Sequence, residues 1–402
     1  MGFGKNIKNL FVTRSFVRRE IGNNIEYIRN DIEQKTSQVE ESLTKKITKK
    51  IEVENEATKS HLDTLIRAKV LSLMELSGVH LYLQKYYGKV LGKDYKTHYV
   101  SYYYATYGYT NNLGDYIQTI ATEEAIKKCV KGPVVFENVL RSALTDHQGG
   151  TCVMQGWYEH KQLTFLPGPD TRPVWVGTHF CADARVMIKS LYDSSNIRFN
   201  DIGCRDKSTL EFCRSLGARA YFSRCLTLTL PRRSSEENEN AKDVYIVDCS
   251  NEIIENLPLE IKEGAKIITQ RCFPFENWMD WHQLRIAAEV LLDEYRQNAK
   301  LVITTALHCA QPCIAMGIPV IFIHPEMDEA DRFSAMDGII KIYSLNDLKE
   351  DKVQFNVKAP NIEDLKAAIL RNLELSLREG LSEQETSELS KVRSFIDQYS
   401  IL

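Results

Sequence analysis

The sequence predicts an α/β protein: two doubly wound halves, residues 95–235 and 236–402, facing each other across a cleft and preceded by a helical arm over residues 1–94. Three observations carry this. Residues 301–323, LVITTALHCAQPCIAMGIPVIFI, read as strand, turn, short helix, glycine stop and strand, the step from which parallel sheets are built. Short apolar runs rich in β-branched and aromatic residues alternate with helical stretches from residue 99 onward. Residues 15–76 contain no proline and a single glycine, Gly22, and carry apolar residues at near-heptad spacing, the pattern of a coiled coil.

The 402 residues, 43% hydrophobic and 26% charged, are enough for two domains and an accessory segment. A formal net charge of -3 supplies no global basic field, which argues against a nucleic-acid partner. The 10 cysteines are scattered through apparent strands and helices without a CxxC pair, so they read as reduced core residues of a cytoplasmic protein, with no metal site among them. No apolar run is long enough to span a bilayer and no signal-peptide pattern opens the chain.

In the arm, Ile21, Ile25, Ile28, Ile32 and Val39 form the stripe; it changes register through Leu43, Ile47 and Ile51 and resumes at Leu62, Leu65 and Ile66. Two packings satisfy such a stripe: a helix laid on the chain's own α/β body, or a seam with a second copy or another partner. Ahead of it, Phe3, Ile7, Leu10, Phe11, Phe16 and Val17 alternate with Lys5, Lys8, Arg14, Arg18 and Arg19. This suits either peripheral contact with an anionic membrane surface or a solvated helix end. Asn6 stands where a myristoylation motif needs Ser or Thr.

A first strand is expected over residues 99–106, then a loop in which Gly114 allows close backbone approach and Asp115 either N-caps the next helix or stands at the cleft mouth. Strands at 151–155 and 173–177 each deliver a histidine just beyond their ends, His160 and His179, as candidate site residues. Trp157 and Tyr158 are placed either to stack on a pyranose or to pack. A helix over 184–192 follows. Residues 202–222 form another compact βαβ step, with a capping box from Ser208 to Glu211 and a stop at Gly217. Arg205, between strand end and helix start, is placed either to clamp a carboxylate or phosphate or to pair with Asp206. The same choice applies to Arg224, before an alternating strand at 226–230. Residues 231–242, PRRSSEENENAK, read as a linker.

The second half opens with strands at 244–248 and 266–270 and a helix over 280–298, which leads into the strand at Leu301. His308 lies at the carboxyl end of that strand, where open α/β sheets bind ligands and a helix N-terminus attracts anions; it either serves there or fills the turn. Residues 319–323 and 338–343 and helices over 362–377 and 382–400 complete the half. Two doubly wound, Rossmann-like halves with a cleft make the GT-B-like arrangement. No P-loop, GxSxG, HExxH or complete GxGxxG occurs, so nucleotide hydrolysis, serine hydrolysis, zinc proteolysis and dinucleotide chemistry lack support.

Four blocks stand in a recurring order: Asn112-Leu113-Gly114-Asp115 with Gln118, Ile202-Gly203-Cys204-Arg205-Asp206, Ser223-Arg224-Cys225-Leu226-Thr227-Leu228-Thr229, and Ala306-Leu307-His308 with Pro312 and Gly317-Ile318-Pro319-Val320. In these the chain resembles the polysaccharide pyruvyltransferase family, with one departure: Ala306 replaces the arginine of the family's Arg-Leu-His. The resemblance implies a transferase that moves pyruvate from phosphoenolpyruvate as a ketal onto a glycan or lipid-linked sugar of a surface or capsular polysaccharide precursor, without metal or organic cofactor. It implies His308 as acid/base and Arg205 as anion clamp, with Arg224 the candidate to compensate for Ala306 and Asp115, Trp157, His160 and His179 the candidates for the acceptor side. A glycosyltransferase using a nucleotide-sugar donor and an inactive scaffold relative are the competing readings.

Overall fold

A computed structural model describes residues 100–106, 112–131, 134–140, 150–158, 167, 171–191, 200–271, 281–324 and 330–402, all within the compact unit Tyr95–Leu402. The arm expected over residues 1–94, with its isoleucine stripe and basic start, lies outside the described residues, and so does His160.

The described chain is a mixed α/β structure built on two parallel sheets. The first takes its strands from β1 (Val100–Thr106), β2 (Val134–Leu140), β3 (Thr151–Val153), β4 (Gly156–Tyr158), β5 (Arg172–Phe180), β6 (Ile202–Cys204) and β7 (Ala220–Phe222), in the order β2-β1-β3-β5-β6-β7, with β4 pairing further along β5. The second contains β8 (Asp243–Val247), β9 (Lys266–Ile268), β10 (Ala299–Thr304), β11 (Val320–Ile323) and β12 (Ile342–Tyr343), in the order β12-β11-β10-β8-β9. In each sheet the chain steps outward once and then reverses, so strand order switches between β1 and β3 and between β8 and β10. Ligand crevices of open parallel sheets form outside the carboxyl ends of strands at such points.

The crossovers contain helices α1 (Leu113–Cys129), α2 (Ala182–Leu191), α3 (Lys207–Ser215), α5 (Asn251–Asn256), α6 (Leu259–Lys262), α7 (Trp281–Asn298) and α8 (Leu307–Met316), with α4 (Ser235–Asn240) joining the two sheets in sequence and α9 (Leu345–Lys349), α10 (Glu363–Ser376) and α11 (Glu383–Gln398) following the last strand. β11 is buried at all four positions and β10 at all but Lys300, as strands covered on both faces must be. Gly317 ends α8 with φ 76, the left-handed conformation that glycine adopts without penalty.

Several expectations give way to the observed elements. Residues 226–230 are not a strand: Leu226–Thr229 is a buried 3₁₀ turn in which Thr229 Oγ1 donates to the Leu226 carbonyl at 2.7 Å. The expected linker contains α4, closed by a capping box between Ser234 and Glu237, and its Arg233 is buried and donates from Nη1 to the Ala299 carbonyl at 2.7 Å. Asn112, not Asp115, caps α1, and Asp206, not Ser208, caps α3.

Helix α1 is buried along most of its length and packs against α7, α8 and α10 as well as the Leu226 turn. Its Leu113, Ile117, Ala121 and Ile126 share one apolar core with Val174 of β5 and with Tyr245, Val302, Ile314 and Ile369 on the later elements. Two smaller cores fill the remaining faces, one around Trp175 and Phe222, the other around Ile246, Ile303 and Ile321.

Candidate active site

The site grows from an interruption in the first sheet. Between β3 and β4 the chain turns through Met154 and Gln155, and the Gln155 amide crosses inward: Nε2 donates to the Gln118 carbonyl at 3.1 Å, and Oε1 accepts the Leu226 N–H at 2.7 Å. Opposite it, Gly177 has φ 61, and a Cβ there would lie 2.7 Å from Gln155 Oε1. Only glycine lets the amide pass.

Beyond the interruption, register places Trp157 of β4 beside His179 of β5, and their rings stack with centroids 4.3 Å apart. The His179 Nδ1–H donates to Asp206 Oδ2 at 2.6 Å, while Asp206 Oδ1 accepts the Thr209 N–H at 2.9 Å as the α3 cap. Burial alone would push the Asp206 carboxyl up. The hydrogen bond and attraction of His179, the Arg205 charge and the Thr209 N–H together outweigh it and hold the group below its ordinary value.

Arg205 emerges from β6, with its N–H on the Thr178 carbonyl at 2.8 Å. Its guanidinium is buried, with Nη1 3.4 Å from Gln118 Oε1 and Cζ 5.8 Å from the Trp157 ring. Nε lies 3.7 Å from Asp206 Oδ2 and has no hydrogen-bond partner among the described residues. Arg332 reaches the same indole, with Cζ at 5.6 Å. Two cations thus meet on one ring, and the carboxylate beside Arg205 is already bonded to His179. Gln118 Nε2 donates to Asp115 Oδ1 at 3.2 Å, which joins the first turn of α1 to Arg205.

His308 stands in the first turn of α8, half-buried. A Cβ on Gly114 would lie 3.1 Å from the His308 Cβ, so the first turn of α1 is pressed against it. Pro312 has no N–H for the His308 carbonyl four residues earlier, and Gln270 Nε2 reaches that carbonyl at 3.4 Å. The Gln270 carbonyl in turn accepts the Leu113 N–H at 2.9 Å. His308 Nε2 is 4.0 Å from Cys225 Sγ. Burial pushes the Cys225 thiol up, against the Arg205 charge and the Thr227 hydrogen bonds, so it is a neutral S–H at physiological pH. His308 thus meets a buried thiol that also lies in the field of the Arg205 charge.

A family model, polysaccharide pyruvyl transferase, matches residues 112–325, more than half of the chain. The chain belongs to this family. No curated protein matches it. A solved structure, an uncharacterized protein from Klebsiella pneumoniae subsp. pneumoniae NTUH-K2044, is similar at 13% identity with a TM-score of 0.39, over 63% of this chain and 94% of its own.

Of the residues expected from sequence, the fold of this pyruvyl transferase family member links Asp115 to Arg205 through Gln118, sets Trp157 and His179 beside Arg205, and puts His308 against Cys225, a thiol that feels the Arg205 charge. Arg224 does not join them. Its backbone has φ 57 and its guanidinium points toward the C-terminus: Nε donates to the Ile396 carbonyl at 3.1 Å, Nη1 to those of Ala335 and Asp337 at 3.0 and 2.9 Å, and Nη2 to that of Tyr399 at 3.1 Å. Four carbonyls occupy the donors that an anion would need, so Arg224 is a structural clamp and does not stand in for the arginine missing at Ala306. Sequence reading passed over Arg332, Gln155 and the thiol of Cys225. None of them has a local signal, because each is recruited by a partner distant in the chain. Among the described residues, no cluster of His, Cys, Asp or Glu could hold a metal ion, and no helix is long and apolar enough to cross a membrane.

Proposed function

We propose that this transferase moves pyruvate from phosphoenolpyruvate onto two hydroxyls of a sugar, as a ketal, in a surface or capsular polysaccharide precursor. The two sheets act as the Rossmann-like halves of a GT-B-like arrangement, with glycan or lipid-linked acceptor and donor meeting outside their strand ends. Family membership supports the reaction class. The observation that carries the site is the buried Arg205, whose Nε has no hydrogen-bond partner among the described residues, beside a second guanidinium on Trp157. Asp206, 3.7 Å from Nε, is shared with His179, and a buried guanidinium with an unused donor is costly until a further acceptor meets it.

In this reading Arg205, with Arg332, holds the carboxylate and phosphate of the donor. His308 gives a proton to the terminal methylene carbon, and the adjacent carbon becomes electrophilic. The first sugar hydroxyl adds there and loses its proton to Asp115; the C–O bond to phosphate breaks, and the second hydroxyl closes the ketal. One hydroxyl proton replaces the one spent on carbon and the other leaves with phosphate. Trp157 and His179 border the acceptor side.

The test is acceptor-dependent phosphate release from phosphoenolpyruvate, with binding followed separately by thermal shift. His308→Gln should retain donor binding and lose turnover, and Arg205→Met should lose donor binding. A protein stabilised by a nucleotide sugar and indifferent to phosphoenolpyruvate, with no phosphate release on the native precursor, overturns the proposal.

A further inference from the structure

Behind His308 lies a run of buried polar groups that catalysis as described does not use. Thr227 Oγ1 is 2.9 Å from Gln311 Oε1 and 3.1 Å from Cys225 Sγ, and Cys225 Sγ is 4.0 Å from His308 Nε2. Thr227, Cys225 and Gln311 are all fully buried. As oriented, the chain is flawed: one hydroxyl hydrogen faces two acceptors, while Gln311 Nε2 is buried with no hydrogen-bond partner among the described residues. An unpaired buried N–H is costlier than an under-used carbonyl.

Turning the Gln311 amide over removes both defects, since its two ends have nearly the same shape. Gln311 Nε2–H then donates to Thr227 Oγ1, the Thr227 hydroxyl to Cys225 Sγ, and the Cys225 S–H to His308 Nε2. Every hydrogen has one acceptor, and the polarity runs one way. We infer that Cys225 is a positioning residue whose S–H, oriented by Thr227 and Gln311, holds His308 as the tautomer protonated on Nδ1. The Gln270 contact to the His308 carbonyl and the packing of Gly114 fix the rest of the residue. As an acid His308 must be the imidazolium, and the N–H it turns to the donor, away from Cys225, is then Nδ1–H. That last consequence rests on the pyruvyl-transfer reading; the tautomer itself does not.

The experiment uses the full chain labelled with ¹⁵N-histidine and a long-range ¹H–¹⁵N correlation spectrum, recorded above the imidazole titration range. His308→Gln assigns the resonance. The expected result is an unprotonated Nε2 and a protonated Nδ1 at His308 in the wild type, the same pattern in Cys225→Ser, and reversion to the usual Nε2–H tautomer in Cys225→Ala. A wild-type His308 protonated on Nε2, or an Nδ1–H tautomer that survives Cys225→Ala, overturns the inference. The wild-type spectrum decides alone should Cys225→Ala fail to fold. In the transfer assay Cys225→Ala should lower kcat by about tenfold or more with KM held, and Cys225→Ser should restore it. A protein with the expected tautomer and no pyruvyl transfer refutes the function and leaves the positioning intact.

Discussion

Replacing Arg224 tests whether the guanidinium is a clamp for the C-terminus. Its four carbonyl partners come from two segments, residues 335–337 and 396–399, over a hundred positions along the chain. A hydrogen bond to a charged group contributes about 1.5–3 kcal/mol, so simple addition would give about 6–12 kcal/mol. Two corrections reduce it. The bonds to the Asp337 and Tyr399 carbonyls are only partly buried, so those carbonyls rehydrate, and deletion relieves the burial that pulls the guanidinium down to about 10. A net loss of about 3–5 kcal/mol is expected for Arg224→Ala, the range found when one partner of a buried charged contact is removed. The backbone supplies an internal control: at φ 57 glycine costs about 1 kcal/mol less than alanine, so Arg224→Gly should be the milder of the two. Urea titration measures both, and hydrogen exchange should show α11 losing protection first. A loss in Arg224→Ala below about 1 kcal/mol, with α11 as protected as in the wild type, would refute the clamp. Donor binding should persist in the folded fraction.

Three further predictions concern groups around the site. Asp206 is held below its ordinary value, so its contribution is present above the unfolded pKa of about 4 and is lost as pH falls through the folded value; Asp206→Asn should be less stable at neutral pH by about 3–5 kcal/mol and flatter below about pH 4, as read by acid titration of urea stability. Gly177→Ala combines a left-handed φ with a Cβ pressed on the held Gln155 amide; it should cost about 2–4 kcal/mol, and a value under about 1 kcal/mol by the same assay counts against the crossing. Gln270→Ala removes the donor on the His308 carbonyl and should cost about 1–2 kcal/mol. Adding Pro312→Ala supplies an N–H to that carbonyl and should recover part of the loss, so an additive double-mutant cycle speaks against the substitution of one donor by the other.

The architecture was legible where a period changes locally. The run from Leu301 to Ile323 passes from β-branched strand to helix to Gly317, and each step appears in the structure. Arg205 and His308 were expected beyond strand ends, and both lie there, after β6 and β10. The alternation Leu226-Thr227-Leu228-Thr229 misled because a period of two records burial on one face, whereas here both faces are buried and the threonines bond locally or to Gln311. A polar stretch suggested a linker, yet Arg233 sinks its guanidinium onto Ala299, 66 residues away. Partnerships across such separations, including Arg224 with Tyr399 and Arg332 with Trp157, leave no trace in spacing.

Helix α1 has a consequence for how such chains diverge. By sequence it belongs to the first half, but its apolar surface is shared with α7, α8 and α10 of the second. A recombinant that joined residues 95–235 of one relative to the remainder of another would transplant a helix without its socket, and Gly114 with it, away from the His308 it presses upon. The two sheets are therefore expected to change together, by substitutions that respect the shared core, and not by exchange of one half for another.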